Sequence, residues 1–283
     1  MIRIGIVRTD KWLTLYLAEW KKKSNLMQKI AWHQKMLISP LEKVSDSLPD
    51  TNKLQQFFIQ SGLILPDEDS HQDINDMLER NYWKVISTHY QQLKQKWSAH
   101  DAGVYIFPAS KDQASIQSLG GKNGLTIDRF IFLFLTNGLS NSELKAIITH
   151  EYHHIFRLSV TEETEESITF LESMIMEGLA ELAVSHEVGR DYTAVWTKDL
   201  SLKQMKRLFK EWLEPHLFTR GRKDHHTLLY GGGGGPYHVP RWLGYRCGYL
   251  IVEQAYKTFN ERSIKTVTEI PAEDWLSASG FLK

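Results

Sequence analysis

From Ser140 to Gly189 the sequence leaves room for little besides two helices that carry ionisable side chains on otherwise apolar stretches. Ser140 followed by Glu143 is a capping box, so a helix starts there. It contains His150-Glu151-Tyr152-His153-His154, an HExxH pattern flanked by Ile147, Ile148, Ile155 and Phe156. Side chains four apart share a helix face, so His150 and His154 aim two imidazoles at one point. Glu151 is rotated by about 100° from His150 and reaches a water held at that point. A second helix, expected from about Ser167 to Glu187 and stopped at Gly189, carries Glu177-Gly178-Leu179-Ala180-Glu181.

Catalytic zinc takes three protein ligands and keeps one position open. The metzincin solution, a third histidine further along, fails: Val160 stands at that position and Arg157 at the position of its glycine. Glu177 on the next helix is the expected third ligand, with Glu172 and His186 as competitors. Glu181, one turn on, lies on the same side and is expected to orient His150 by accepting its second N–H. His153 points about 100° off the metal face and is not a ligand. Gly178 is expected to let this helix approach the HExxH helix closely. Glutamates at helical spacing ordinarily form a solvated face. Met174, Ile175, Leu179, Leu182 and Val184 around them speak against that here.

These two segments resemble the gluzincin branch of the zincins, with its HExxH and downstream glutamate motif. More narrowly, they resemble the bacterial predicted zinc-dependent proteases of the YjaZ type (DUF2268). That group is expected to share a hydrophobic strand, HEYHH, EGLAE and a C-terminal Pro…Gly-Tyr…Gly-Tyr stretch, here Pro240, Gly244-Tyr245 and Gly248-Tyr249. The resemblance covers roughly Gly103 to Tyr256. It implies a zincin-like α+β fold, Zn2+ as cofactor and a peptide or protein as substrate. An oxyanion donor is expected among Tyr237, His238, Arg241 and Tyr245, with Tyr245 favoured. Tyr245, Tyr249, Val252 and Tyr256 also form a stripe of the kind that packs a core.

Around this centre the chain reads as α+β, mostly helical, with a small mixed sheet before the HExxH helix. Residues 1–98 are expected to form a helical N-terminal region and 99–283 the catalytic domain. Val104 to Phe107 and Phe130 to Leu135 read as strands, the second apolar on both faces. Asn123-Gly124 is the sharper hairpin signal. One of these strands is expected at a sheet edge, where an extended peptide pairs with it. Later come a helix at Leu200 to Leu213, a solvated segment at His225-His226 and a last helix from Pro240 to about Tyr256. The run Gly231 to Gly235 lacks the Lys-Ser/Thr of a phosphate loop and reads as a lid or linker. Cys247 reads as a buried core thiol.

Basic and acidic residues number 34 each, which removes the electrostatic case for a nucleic-acid partner. No apolar run approaches the roughly 18 residues that span a bilayer. A single cysteine and the lack of a secretory pattern at the start point to a cytoplasmic protein. The expected function is a zinc peptidase with Glu151 as general base. The alternatives are a zinc-containing binding or regulatory protein without turnover, and a metal-dependent hydrolase of another amide or ester.

Overall fold

The computed structural model describes every residue except 1–3, 43, 46, 200, 233–238, 261 and 283. The α+β chain divides into two units, one of residues 1–95 and 100–152, the other of residues 96–99 and 153–283. In the first unit the N-terminal helices cover the sheet.

The first unit runs β1 (Gly5–Ile6), α1 (Thr9–Trp20), α2 (Leu26–His33), α3 (Thr51–Gln60), α4 (His71–Glu79) and α5 (Tyr82–Trp97). Then follow β2 (Gly103–Pro108), α6 (Ala114–Ser118), β3 (Lys122–Ile127), β4 (Phe130–Leu135) and the start of α7 (Asn141–Thr161). The four strands lie in the order β1-β2-β4-β3. The first three are parallel, and β3 runs antiparallel to β4 at the edge. Every residue of β2 and β4 is buried, as Phe130 to Leu135 requires with apolar side chains on both faces. Trp12 of α1 packs on Tyr105 and Phe107, and Phe58 of α3 on Phe132 and Phe134.

One expectation fails in this sheet. Asn123-Gly124 is no turn but lies inside β3, and the hairpin turns at Asp128-Arg129, where Asp128 adopts a φ of 52°. A glycine inside a strand marks the close approach of another group. At Gly124 that group is the Glu151 side chain: a Cβ there would stand 2.3 to 2.5 Å from its carboxyl and γ atoms.

The second unit continues with α8 (Phe170–Glu187), α9 (Leu202–Leu208), α10 (Arg222–Tyr230), α11 (Leu243–Tyr256), α12 (Ile264–Thr268) and α13 (Ala272–Ser279). The α8 helix is buried at every residue from Phe170 to Val184, which explains its apolar character all round. Its N-cap is Thr169, whose hydroxyl accepts the Glu172 N–H. Gly178 faces α11, not the HExxH helix: a Cβ there would lie 2.4 Å from the Gly248 carbonyl oxygen. The His225-His226 segment is helical rather than a solvated loop, with His225 fully buried and its Nε2 2.9 Å from Ser173 Oγ. Burial lowers the His225 pKa, so the ring sits neutral in the core. The α11 helix starts at Leu243 and not at Pro240, because Trp242 takes a left-handed φ of 62° that a helix cannot extend through. It is not the last helix either, since α12 and α13 follow.

Candidate metal centre

The capping box that starts α7 forms as its residues require. Glu143 Oε2 accepts the Ser140 N–H at 2.7 Å, and Ser140 Oγ accepts the Glu143 N–H at 3.2 Å. Three turns on, α7 brings His150, Glu151 and His154 together, with one ligand atom from each within 4.8 Å of the others. Among the described residues this is the one such group of three metal-type side chains.

The general-base candidate is built into the first unit. Glu151 is 5% exposed. Thr126 of β3 donates its hydroxyl to Glu151 Oε2 at 2.8 Å. Gly124 and Thr126 are two apart on β3 and so project to the same side. One makes room for the carboxylate and the other holds it. Neither residue was singled out from the sequence, although a glycine inside a β-type run is the signal that finds such a contact.

In the second unit Glu177 stands beside His154, its Oε2 3.7 Å from His154 Nε2. That separation exceeds a hydrogen bond. It is close to the roughly 3.4 Å between two tetrahedral ligands of one ion at about 2.0–2.1 Å each. Glu181 is 2% exposed and accepts the Ala194 N–H at 2.7 Å, which ties α8 to the segment that follows it. Glu172 and His186, the other two candidates, have contacts of their own. Both oxygens of Glu172 are taken by the Arg157 guanidinium at 2.6 and 2.7 Å, and Arg157 also donates to the carbonyls of Thr268 and Ile270. This buried pair fastens α7 to α8 and to the α12 region. His186 packs edge-on against Tyr256. His153 is fully buried with Nε2 2.9 Å from Thr268 Oγ1, so it has a structural place.

Tyr245 sits among aromatic rings, edge-on to Trp196, Tyr230 and Trp242 with centroids 5.1 Å away in each case. Burial first, then the negative charge of Glu177, raises its pKa well above the ordinary tyrosine value. The shift favours the protonated hydroxyl. Arg241 is exposed, with its guanidinium 5.3 Å from the Trp242 ring. Tyr237 and His238, and most of the glycine run, lie outside the described residues. Burial pushes the Cys247 thiol up to about 12, as expected for an inert core cysteine.

Residues 82–277 match the sequence profile of a family described as "Predicted Zn-dependent protease (DUF2268)". The chain belongs to this family. A relative in Bacillus subtilis (strain 168), "Uncharacterized protein YjaZ", is 34% identical over 209 residues, 73% of this chain and 78% of that protein. No solved structure matches the chain. The DUF2268 profile spans β2 to β4, the HExxH helix, α8 and α11, and it leaves α1 to α4 outside. Among the described residues no helix is long and apolar enough to cross a membrane.

Proposed function

We propose that this DUF2268 protein is a zinc-dependent peptidase of the gluzincin type. In this reading His150, His154 and Glu177 are the protein ligands and Glu151 is the general base. The observation that carries the reading is the convergence of His150, Glu151 and His154 on α7. The donor set fits zinc: two imidazoles a turn apart and a carboxylate at 3.7 Å from the second, all borne by helices. A bound zinc ion supplies Lewis acidity, lowering the pKa of water towards ~7 and polarising a peptide carbonyl.

The chain's own residues supply the rest. Glu151 takes a proton from the attacking water on its carboxylate and delivers it to the leaving amine. Thr126 fixes the rotamer of that carboxylate through Oε2. Among the described residues β3 pairs with β4 alone, so its other edge offers backbone N–H and C=O groups to an extended peptide. Such a peptide would lie next to the strand that holds Glu151. Tyr245, kept protonated, is the proposed donor to the developing oxyanion. Glu181 is the proposed orienter of a ligating histidine, braced by the Ala194 N–H.

Metal analysis and peptide digestion test the reading together. Purified protein is expected to hold about one zinc per chain, lost in His150→Ala and in His154→Ala and weakened about 10-fold or more in Glu177→Gln. Unchanged zinc in all three variants would remove the site. If the zinc-loaded protein leaves every member of a broad peptide library intact, with mass spectrometry as readout, the non-catalytic alternative stands instead.

The Thr126 contact gives a finer expectation. Thr126→Val should lower kcat by roughly 10-fold with zinc content and KM unchanged, and Thr126→Ser should restore it. A matching loss in the serine variant would show that bulk, and not the hydroxyl, matters at this position.

A further inference from the structure

The zero net charge of the chain conceals an uneven distribution. Between Trp20 and Leu41 stand five lysines, Lys21, Lys22, Lys23, Lys29 and Lys35, and no acidic residue. The stretch is the turn between α1 and α2 together with α2 and its continuation. It lies outside the residues matched by the DUF2268 profile. Trp32 on α2 donates its indole N–H to the Tyr16 carbonyl at 3.1 Å, which fastens α2 to α1. The lysines gather around two indoles. Lys29 Nζ lies 4.0 Å from the Trp20 ring centre, and Lys23 and Lys35 lie 4.7 and 5.7 Å from that of Trp32. At the first turn of α2, directly after the Lys21–Lys23 run, Leu26 and Met27 are 53% and 76% exposed.

We propose that the α1–α2 hairpin docks on the surface of a bilayer containing anionic lipid, with Leu26 and Met27 entering the headgroup layer and the lysines meeting its negative charge. Two features choose this partner. The local excess of cations, five lysines of which Lys22 pairs with Glu19 of α1 at 2.6 Å, asks for an anionic surface, and exposed apolar side chains at the turn ask for a medium that takes them out of water. A nucleic acid would use open aromatic faces for stacking. Here ammonium groups stand over both indoles. The docking is peripheral, in keeping with helices too short or too polar to span. It is independent of the peptidase reading, because none of these residues belongs to the metal centre.

The test is co-sedimentation of the full-length protein with vesicles of phosphatidylcholine alone and of phosphatidylcholine mixed with phosphatidylglycerol. Binding is expected to the mixed vesicles and to be weak on phosphatidylcholine alone, with release as salt is raised. Replacing Lys21, Lys22 and Lys23 together by Gln should weaken partitioning by about 100-fold. Replacing Leu26 and Met27 by Ser should weaken it by about 10-fold or more. An unchanged thermal midpoint in each variant shows that the fold is intact. Equal binding to both vesicle types, salt-insensitive binding by the wild-type protein, or wild-type partitioning of the lysine variant overturns the proposal. So does tighter binding of a single-stranded oligonucleotide, which would assign the surface to nucleic acid.

Discussion

Glu151→Gln is expected to lower kcat/KM for peptide hydrolysis by about 1,000-fold, the middle of the 10²–10⁴ range of general acid–base catalysis. Glutamine has the shape of glutamate and fits the notch opposite Gly124, where a Cβ would stand 2.3 Å from Oε1. Its amide oxygen can still accept the Thr126 hydroxyl. What it lacks is a lone pair basic enough to take a proton from water. His150 and His154 are untouched, so zinc per chain should equal that of the wild type. The measurements are metal content, a fluorogenic peptide assay and a thermal melt on the same preparation. Activity within about threefold of wild type would take Glu151 out of its role. Loss of zinc along with activity would instead make it part of the metal-holding set.

The second large effect is on stability. A Cβ at Gly248 would stand 2.0 Å from the Met174 carbonyl oxygen and 2.7 Å from its carbon, and one at Gly178 would meet the Gly248 carbonyl at 2.4 Å. These are backbone atoms in the interiors of α8 and α11, so no side chain can swing aside to admit a methyl group. The helices must part. Overpacking of this kind costs about 1–3 kcal/mol and more where backbone has to move. Gly248→Ala is therefore expected to lose about 3 kcal/mol or more, read as a fall in the urea midpoint. Because Glu177 precedes Gly178 on α8, parting the helices also moves the carboxylate relative to His154. Zinc affinity should then drop in a variant that touches no ligand. A midpoint equal to the wild type would mean that α8 and α11 do not approach as described.

The N-terminal hairpin shows how a whole-chain quantity misleads. Equal totals of acidic and basic residues speak against an extended nucleic-acid surface, but say nothing about a local excess. Apart from Lys22, which pairs with Glu19, the lysines between Trp20 and Leu41 have no acidic residue beside them in the sequence, and ring contacts show where they gather.

Signals that act within one or two turns of chain are legible in the sequence. The Ser140–Glu143 capping box, the face shared by His150 and His154, the buried strand Phe130–Leu135 and the off-face position of His153 all follow from the geometry of a single element. Each is set by neighbours three or four residues away in a helix, or two away in a strand. Signals that depend on which element packs against which were misread. Gly178 was expected to meet the HExxH helix, yet a helical glycine only declares that something approaches, and the partner is Gly248 of α11. Asn123-Gly124 has turn chemistry, but a carboxylate 27 residues beyond Gly124 needed that space more than a hairpin needed the dipeptide. His225 looked polar enough for solvent until Ser173 supplied a buried partner. The convergence of His150, Glu151 and His154 thus follows from local spacing. Contacts such as Thr126 on Glu151 and Arg157 on Glu172 are chosen by long-range packing, because a hydrogen bond across the fold leaves no periodic trace along the chain.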